Sequence, residues 1–421
     1  MGDIKLGDSA PENADALIIG AGPSGSIAAA LLCQKGHSCI VLEREIFPRF
    51  SIGESLLPQC MEFLEEADML GSVRKMQFQA KEGALFSWGS QLSSFDFSDQ
   101  FLSDVWTGTY EVERATFDST LARRAEELGA SIRFGHEIID AAPKAEACEV
   151  VACDGNGVEH RYRARFVLDA SGFGRVLPRL LKLDSPSGFP ARRSIFTHVQ
   201  DRIEHVEFDR NKILITIHPE NTDIWYWLIP FSNGRSSIGV VAGEDCLDGF
   251  ESSRTDTLKG LVKADPRLNA ILKNAVFDSP VREVNGYSSN VKRLWGDGFA
   301  LLGNAGEFLD PIFSSGVTIA MKSASLAATA LDRQLRGETV DWDDEFARPL
   351  KRGVDVFRAF VESWYDGVLH DIIFAKQKDA KVKRMICSIL AGYVWDMRNP
   401  YASQTRKRLS VLAELCRNPS R

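Results

Sequence analysis

The amino-acid sequence predicts an α/β fold in three parts: a domain on a parallel sheet, an inserted and mainly antiparallel β domain, and a C-terminal helical region. Three observations carry this. The apolar run Ala16-Leu17-Ile18-Ile19 leads into Gly20-Ala21-Gly22-Pro23-Ser24-Gly25, a glycine turn between strand and helix. Residues 212–218, 224–230 and 236–242 alternate and are rich in Ile, Val and aromatics, the pattern of antiparallel strands. Beyond about Arg348, the residues Val354, Phe357, Phe360, Val361, Trp364, Val368 and Ile372 recur at intervals of three and four, one apolar helical face.

Composition narrows the class. At 421 residues and 44% apolar, the chain is long enough for two or three compact units with a self-sufficient core. Its 58 acidic against 50 basic residues give a net charge of −8, which argues against a nucleic-acid partner, since phosphate binding draws on clustered Lys and Arg. None of the eight cysteines makes a CxxC pair and the seven histidines are scattered, so no metal centre is expected. No apolar run approaches the roughly 18–20 residues of a membrane span. With no signal peptide evident, the expected compartment is the cytoplasm, with reduced thiols.

In chain order, the first 14 residues are polar and expected to be flexible, and the strand at 16–19 follows. Gly20 makes the tight turn, Gly22 lets the backbone approach a pyrophosphate at the helix N-terminus, and Gly25 allows helix and sheet to pack closely. A second strand, Cys39-Ile40-Val41-Leu42, ends in Glu43, placed to accept hydrogen bonds from an adenosine ribose. This fingerprint does not choose between NAD and FAD. Three later segments bear on that choice: Arg49-Phe50-Ser51-Ile52-Gly53-Glu54-Ser55-Leu56-Leu57-Pro58, the strand and turn at 166–172, and the strand and turn at 300–306. The last continues as Asp310-Pro311-Ile312-Phe313-Ser314-Ser315-Gly316-Val317 into a helix through about Gln334, whose first N–H groups suit an anion or an electron-rich ring edge.

Together these segments resemble the FAD-dependent oxidoreductases of the aromatic-hydroxylase fold, and within it the flavin-dependent halogenase family, over residues 15–345. Trp225-Tyr226-Trp227-Leu228-Ile229-Pro230 reproduces the halogenase signature WxWxIP, and the GESL, DPxFSSGV and Val112-Glu113-Arg114…Phe117-Asp118…Leu121 segments match as well. The resemblance implies a Rossmann-like FAD-binding domain of the glutathione-reductase-2 type at 15–90, 110–182 and 290–345. The substrate-side sheet domain is then 91–109 and 183–289, and the helical region 346–421. It implies FAD contacts from Gly20, Gly22, Pro23, Ser24, Gly25, Glu43, Arg44, Arg49, Ser55, Arg114, Asn304, Pro311, Gly316 and Val317. Lys81, in Lys81-Glu82-Gly83-Ala84, is the implied catalytic residue. A halide at Ser315 and Gly316 would be oxidised with FADH2 and oxygen to hypohalous acid, which Lys81 would receive or orient. Trp225 and Trp227, on one face of a strand, would wall the flavin off from the organic substrate.

Departures refine the expectation. Asn304 stands where the family reads Asp in GDA, which keeps a hydrogen-bonding oxygen and removes a charge. Phe313 replaces the glutamate of the tryptophan-halogenating branch, so the resemblance is to the phenol and pyrrole branch. The segment Asp169-Ala170-Ser171-Gly172 lacks the DG motif of NAD(P)H-using hydroxylases, which implies a separate NAD(P)H-dependent flavin reductase as partner. Residues 390–401, LAGYVWDMRNPY, look like halogenase-like proteins of aromatic polyene pigment pathways. The expected function is halogenation of an electron-rich aromatic by FADH2, oxygen and chloride or bromide in secondary metabolism. The acceptor is small and either free or tethered to a carrier protein. The alternative is an FAD-dependent oxidase, hydroxylase or reductase of the same fold acting on an aromatic or polyene intermediate. Phe95, Phe97 and Phe101 either line an acceptor pocket or pack a hairpin. The basic run Lys376, Lys378, Lys381, Lys383 and Arg384 is either a solvated face or a dock for an acidic carrier.

Overall fold

A computed structural model describes residues 5–6, 10–145, 147–204, 208–247, 253–376 and 379–418. Residues 1–4 and 7–9 of the segment expected to be flexible, and Lys378 of the basic run, lie outside the described residues.

The nucleotide-binding half is built on the parallel strands Phe299–Leu301, Val158–Asp169, Glu12–Ile19, Cys39–Glu43 and Ser131–Phe134, in that spatial order. Parallel strands covered on both faces read as continuous apolar runs, and residues 16–19 and 39–43 are all buried. The strand expected at 16–19 begins at Glu12, inside the segment expected to be flexible, because Glu12 to Ala14 pair with Tyr162 to Ala164; in the same segment Lys5–Leu6 pair with Val158–Glu159. The helices Pro23–Gln34 and Ser315–Leu335 pack against each other, and both bury small residues, Ala28, Ala324 and Ala328 among them.

A seven-stranded sheet forms the second half, in the order Arg282–Asn285, Arg192–Gln200, Arg235–Gly243, Trp225–Pro230, Lys212–Ile217, Gly83–Trp88 and Gln91–Asp96. All its pairings are antiparallel except that of Lys212–Ile217 with Gly83–Trp88. The chain therefore enters this sheet at Gly83, not at 91 as the sequence suggested; Gly83 is needed there, because a Cβ would lie 2.2 Å from the Phe95 carbonyl oxygen.

The C-terminal region is helical at Arg348–Tyr365, Val368–Ile373, Ala380–Leu390 and Thr405–Arg417. Its apolar face runs as the spacing predicts, but Gly367, at φ +81°, breaks the first helix between Trp364 and Val368. Phe95 and Phe97 are core residues, and Phe101 is tied to the helix Ala380–Leu390 through its N–H to the Ser388 hydroxyl. Among the described residues no helix is long and apolar enough to cross a membrane.

Candidate active site

A cavity of about 840 Å3 runs between the two sheets. At one end Gly20 adopts φ +96°, where a Cβ would sit 2.7 Å from the Ala170 carbonyl oxygen, and a Cβ on Gly25 would sit 1.9 Å from that of Gly20. Gly22 instead faces open space, with Arg49 Nη2 as the only atom near a built Cβ, at 3.6 Å. The helix Pro23–Gln34 starts there with neither a side-chain cap nor an acid in its first turn, so its N–H groups are left for an anion. Glu43 is held by the Ala21 and Glu45 N–H groups at 2.8 and 2.9 Å and borders the cavity beside Arg44. An open glycine cradle, orphan N–H donors, two arginines and a fixed carboxylate fit the pyrophosphate and ribose of an adenine dinucleotide.

Further along, the segment 49–55 lines the wall and is locked by buried charge. Asp118 accepts from Arg49 Nη1 at 2.7 Å and from Arg114 Nε and Nη2 at 2.7 and 2.9 Å, while Arg114 Nη1 donates to the Ile52 carbonyl at 2.6 Å. Arg49 and Arg114 border the cavity, so one aspartate orients both cations. Removing it leaves two largely buried guanidiniums without a carboxylate, a class of change that costs about 3–5 kcal/mol. Asp118→Ala is expected to lose stability on that scale in denaturant titration, and to lose FAD affinity as well.

Trp225 and Trp227 both line the cavity, with ring centroids 6.0 Å apart. The Trp227 indole lies over Gly239, where a Cβ would be 2.2 Å from the ring, and its Nε1 donates to the Ser237 hydroxyl at 3.0 Å. Trp225 Nε1 donates to Tyr365 Oη, and Tyr365 in turn donates to Asp310 Oδ2 at 2.9 Å. Burial raises the Asp310 carboxyl to about 6. Between about pH 4, where an unfolded-chain aspartate loses its proton, and 6, the native state holds a proton that the unfolded state has lost. This group's contribution to stability therefore falls as pH rises through that window. Asp310→Asn is expected to flatten the slope: denaturant titrations from about pH 4 to 7 should show the wild type losing stability relative to the variant.

Lys81 is placed differently from the other site residues. It is 1% exposed, does not line the cavity, and donates from Nζ to the Ser55 hydroxyl at 2.7 Å and the Leu56 carbonyl at 2.8 Å. Phe97 covers it, its ring centroid 5.7 Å from Nζ. Ser55 is the link, since it borders the cavity and holds the lysine. Burial lowers the Lys81 pKa, against the opposing pull of the Glu111 carboxylate.

The structure thus gathers Gly20, Gly22, Pro23, Ser24, Glu43, Arg44, Arg49, Ser55, Arg114, Trp225, Trp227, Asn304, Pro311, Gly316 and Val317 around one cavity. Gly25 and Ser315 sit just behind its wall, and Lys81 one residue away. Asn304 Oδ1 would be 3.8 Å from a Cβ on Gly316, at the start of the helix Ser315–Leu335, so side chain and helix N-terminus face each other. Three features escaped the sequence. Arg175 reaches the Asn304 carbonyl at 3.3 Å and the Ser289 hydroxyl at 2.9 Å; His198 Nε2 holds Glu54 Oε1 at 2.5 Å; and Glu111 is buried beside Lys81. Arg175 follows the turn at 169–174, which was the one available signal.

The model of the "FAD binding domain" family matches residues 13–343. A pyrrole-2-carbonyl peptidyl-carrier-protein chlorinase of Pseudomonas fluorescens is 28% identical, over 95% of this chain and 92% of its own length. Among solved structures, a flavoprotein/dehydrogenase from Cytophaga hutchinsonii superposes with a TM-score of 0.94 at 42% identity, covering 97% of this chain and all of that one. The myxobacterial chondrochloren halogenase superposes at 0.77 with 28% identity, covering 96% and 97%. The cavity's dinucleotide cradle and this match across most of the chain agree: the chain belongs to the FAD-binding-domain family, and flavin-dependent halogenases are among the proteins it is similar to.

Proposed function

We propose that the protein is an FAD-dependent halogenase acting on an electron-rich aromatic of the phenol or pyrrole type, free or carried on a carrier protein. The observation that carries this reading is the separation of Lys81 from the cofactor cavity by a single residue, Ser55. FAD, once reduced by a partner NAD(P)H-dependent reductase and exposed to oxygen, supplies the oxidising power that converts chloride or bromide to hypohalous acid. The chain's own residues then manage a small electrophile. The N-terminus of the helix Ser315–Leu335, with Ser315 and Gly316 in its first turn, offers N–H groups and a positive dipole end to the halide. Trp225 and Trp227 wall the cavity, so a bulky acceptor is held off while an electrophile of two heavy atoms passes. Lys81, an ammonium or amine in a dry setting, hydrogen-bonds or takes up the halogen and presents it to the ring. The related chlorinase acts on a carrier-bound pyrrole, which supports that acceptor class.

A second reading has an observation of its own. The large cavity lies on the side of Gly20, Gly316 and both tryptophans, Lys81 is absent from its lining, and the 42% identical relative is called a flavoprotein/dehydrogenase. An oxidase or reductase would hold an aromatic or polyene intermediate in that cavity against the flavin. The two readings part in one assay: holoprotein, flavin reductase, NADH, oxygen and bromide, with free and carrier-bound phenols and pyrroles as acceptors. Halogenated product above the protein-free background is the expected result. NADH turnover with pathway intermediates oxidised or reduced, and no acceptor halogenated, supports the second.

A further inference from the structure

Beside Lys81 lies an acidic residue with no assigned role. Glu111 is completely buried, and neither of its carboxyl oxygens has a hydrogen-bond partner. A buried carboxylate without partners is strongly disfavoured, so its protonation must be set by the few groups around it. The strands Gln79–Lys81 and Thr109–Glu111 pair with Gln79 opposite Glu111 and Lys81 opposite Thr109. Residues two apart share a face, which makes Lys81 and Glu111 diagonal neighbours on one face. Ser55 bridges to Glu111 from the adjoining segment, and its hydroxyl already accepts from Lys81 Nζ. That hydroxyl still has its own proton to donate, and the antiparallel bridge sets Ser55 directly opposite Glu111. The other ionisable groups here are Glu54, which faces Glu111 and is held by His198, and Cys60, which faces Lys81.

We propose that Glu111 is a positioning residue that exchanges one proton with Lys81 through the Ser55 hydroxyl, switching the lysine between ammonium and free amine. The inference rests on the role proposed for Lys81. An N–H proton passes from Nζ to Ser55 Oγ as the Ser55 proton passes to a Glu111 oxygen. Ammonium and carboxylate become amine and carboxylic acid, the net charge is unchanged and no further reactant enters. Burial opposes the ionic pair on both sides, lowering Lys81 and raising Glu111 to about 7, and the Glu54 charge raises Glu111 further. The ionic form donates hydrogen bonds to an oxygen; the neutral form offers a nitrogen lone pair to a halogen.

Infrared titration of the FAD-loaded protein, with its glutamate carboxyls labelled with carbon-13, reads this proton without any need for halogenation. A protonated-carboxyl band that is missing in Glu111→Gln should titrate near neutrality in the wild type. In Lys81→Met, where the cation is gone, it should persist to a proton concentration at least tenfold lower. If Glu111→Gln does not fold, the band is identified by its shift in Lys81→Met alone. A Glu111 band titrating near the ordinary value of about 4.3, or no band that moves in Lys81→Met, overturns the proton exchange. Where the wild type halogenates, Glu111→Gln should slow transfer to the acceptor on the order of tenfold or more and shift the pH profile, with Glu111→Asp restoring part. Full transfer with an unchanged profile overturns the positioning role. A coupled band in a wild type that halogenates nothing sustains the exchange and defeats the catalytic role of Lys81.

Discussion

Lys81→Met is expected to lower halogen transfer to an organic acceptor on the order of a hundredfold or more, while hypohalous acid accumulates in solution and can be trapped there. Methionine is close to lysine in length and fills the same apolar slot under Phe97, so the change isolates the nitrogen. It leaves the Ser55 hydroxyl and the Leu56 carbonyl without their donor and Glu111 without a nearby cation. The Glu111 carboxyl can answer by keeping its proton, which limits the damage to the fold. Product analysis by mass spectrometry, beside a trap for free hypohalous acid, checks both halves. Unchanged acceptor halogenation in a folded, yellow Lys81→Met protein would remove the lysine from the mechanism.

Gly25→Val should have the largest effect on the cofactor. The first side-chain carbon would meet the Gly20 carbonyl oxygen at 1.9 Å and the Ala170 side chain at 3.3 Å. Both obstacles belong to the turn and strand that form the cradle, and neither is the free end of a flexible side chain. The helix Pro23–Gln34 must then back away from the sheet, which moves its N-terminal N–H groups off the pyrophosphate site. The variant is expected to purify with little FAD, read as the ratio of flavin to protein absorbance, and with a lower Tm. Gly71→Ala serves as the control: no atom lies within 4 Å of a Cβ there, and alanine in a helix is favoured over glycine by roughly 0.5–1 kcal/mol.

What the sequence disclosed, and what it did not, follows the range of the interactions. The strand, glycine turn, helix and Glu43 lie within a short stretch of chain, and each residue type answers a local demand: positive φ at Gly20, close packing at Gly25, an acceptor at the strand end. The motif at 310–317 and the alternation of Trp225 and Trp227 were equally local. Glu54 and His198 are 144 positions apart, and nothing in either neighbourhood announces the contact. Glu111 sits in a three-residue strand, too short for a pattern, and its meaning comes from Lys81 across the ladder. The boundary expected at 90/91 falls inside the seven-stranded sheet, because the parallel partner of Gly83–Trp88 at Lys212–Ile217 is far along the chain and leaves no turn signal between them. The break at Gly367 was hidden because the apolar spacing carries on through it. The sealing of Lys81 by Phe97 also lay beyond sequence reasoning, since a lysine beside apolar segments reads as a surface residue until burial is known.

The proposed function requires this chain to turn flavin oxidation into halide oxidation. Chemically reduced holoprotein, mixed rapidly with oxygenated buffer containing bromide and an electron-rich trap such as a cyclic diketone, tests it without a reductase or a natural acceptor. Bromination of the trap in proportion to the reduced protein supplied, and absent without bromide, is the predicted result. Reoxidation that yields hydrogen peroxide alone, with the trap unmodified by either chloride or bromide, would contradict it.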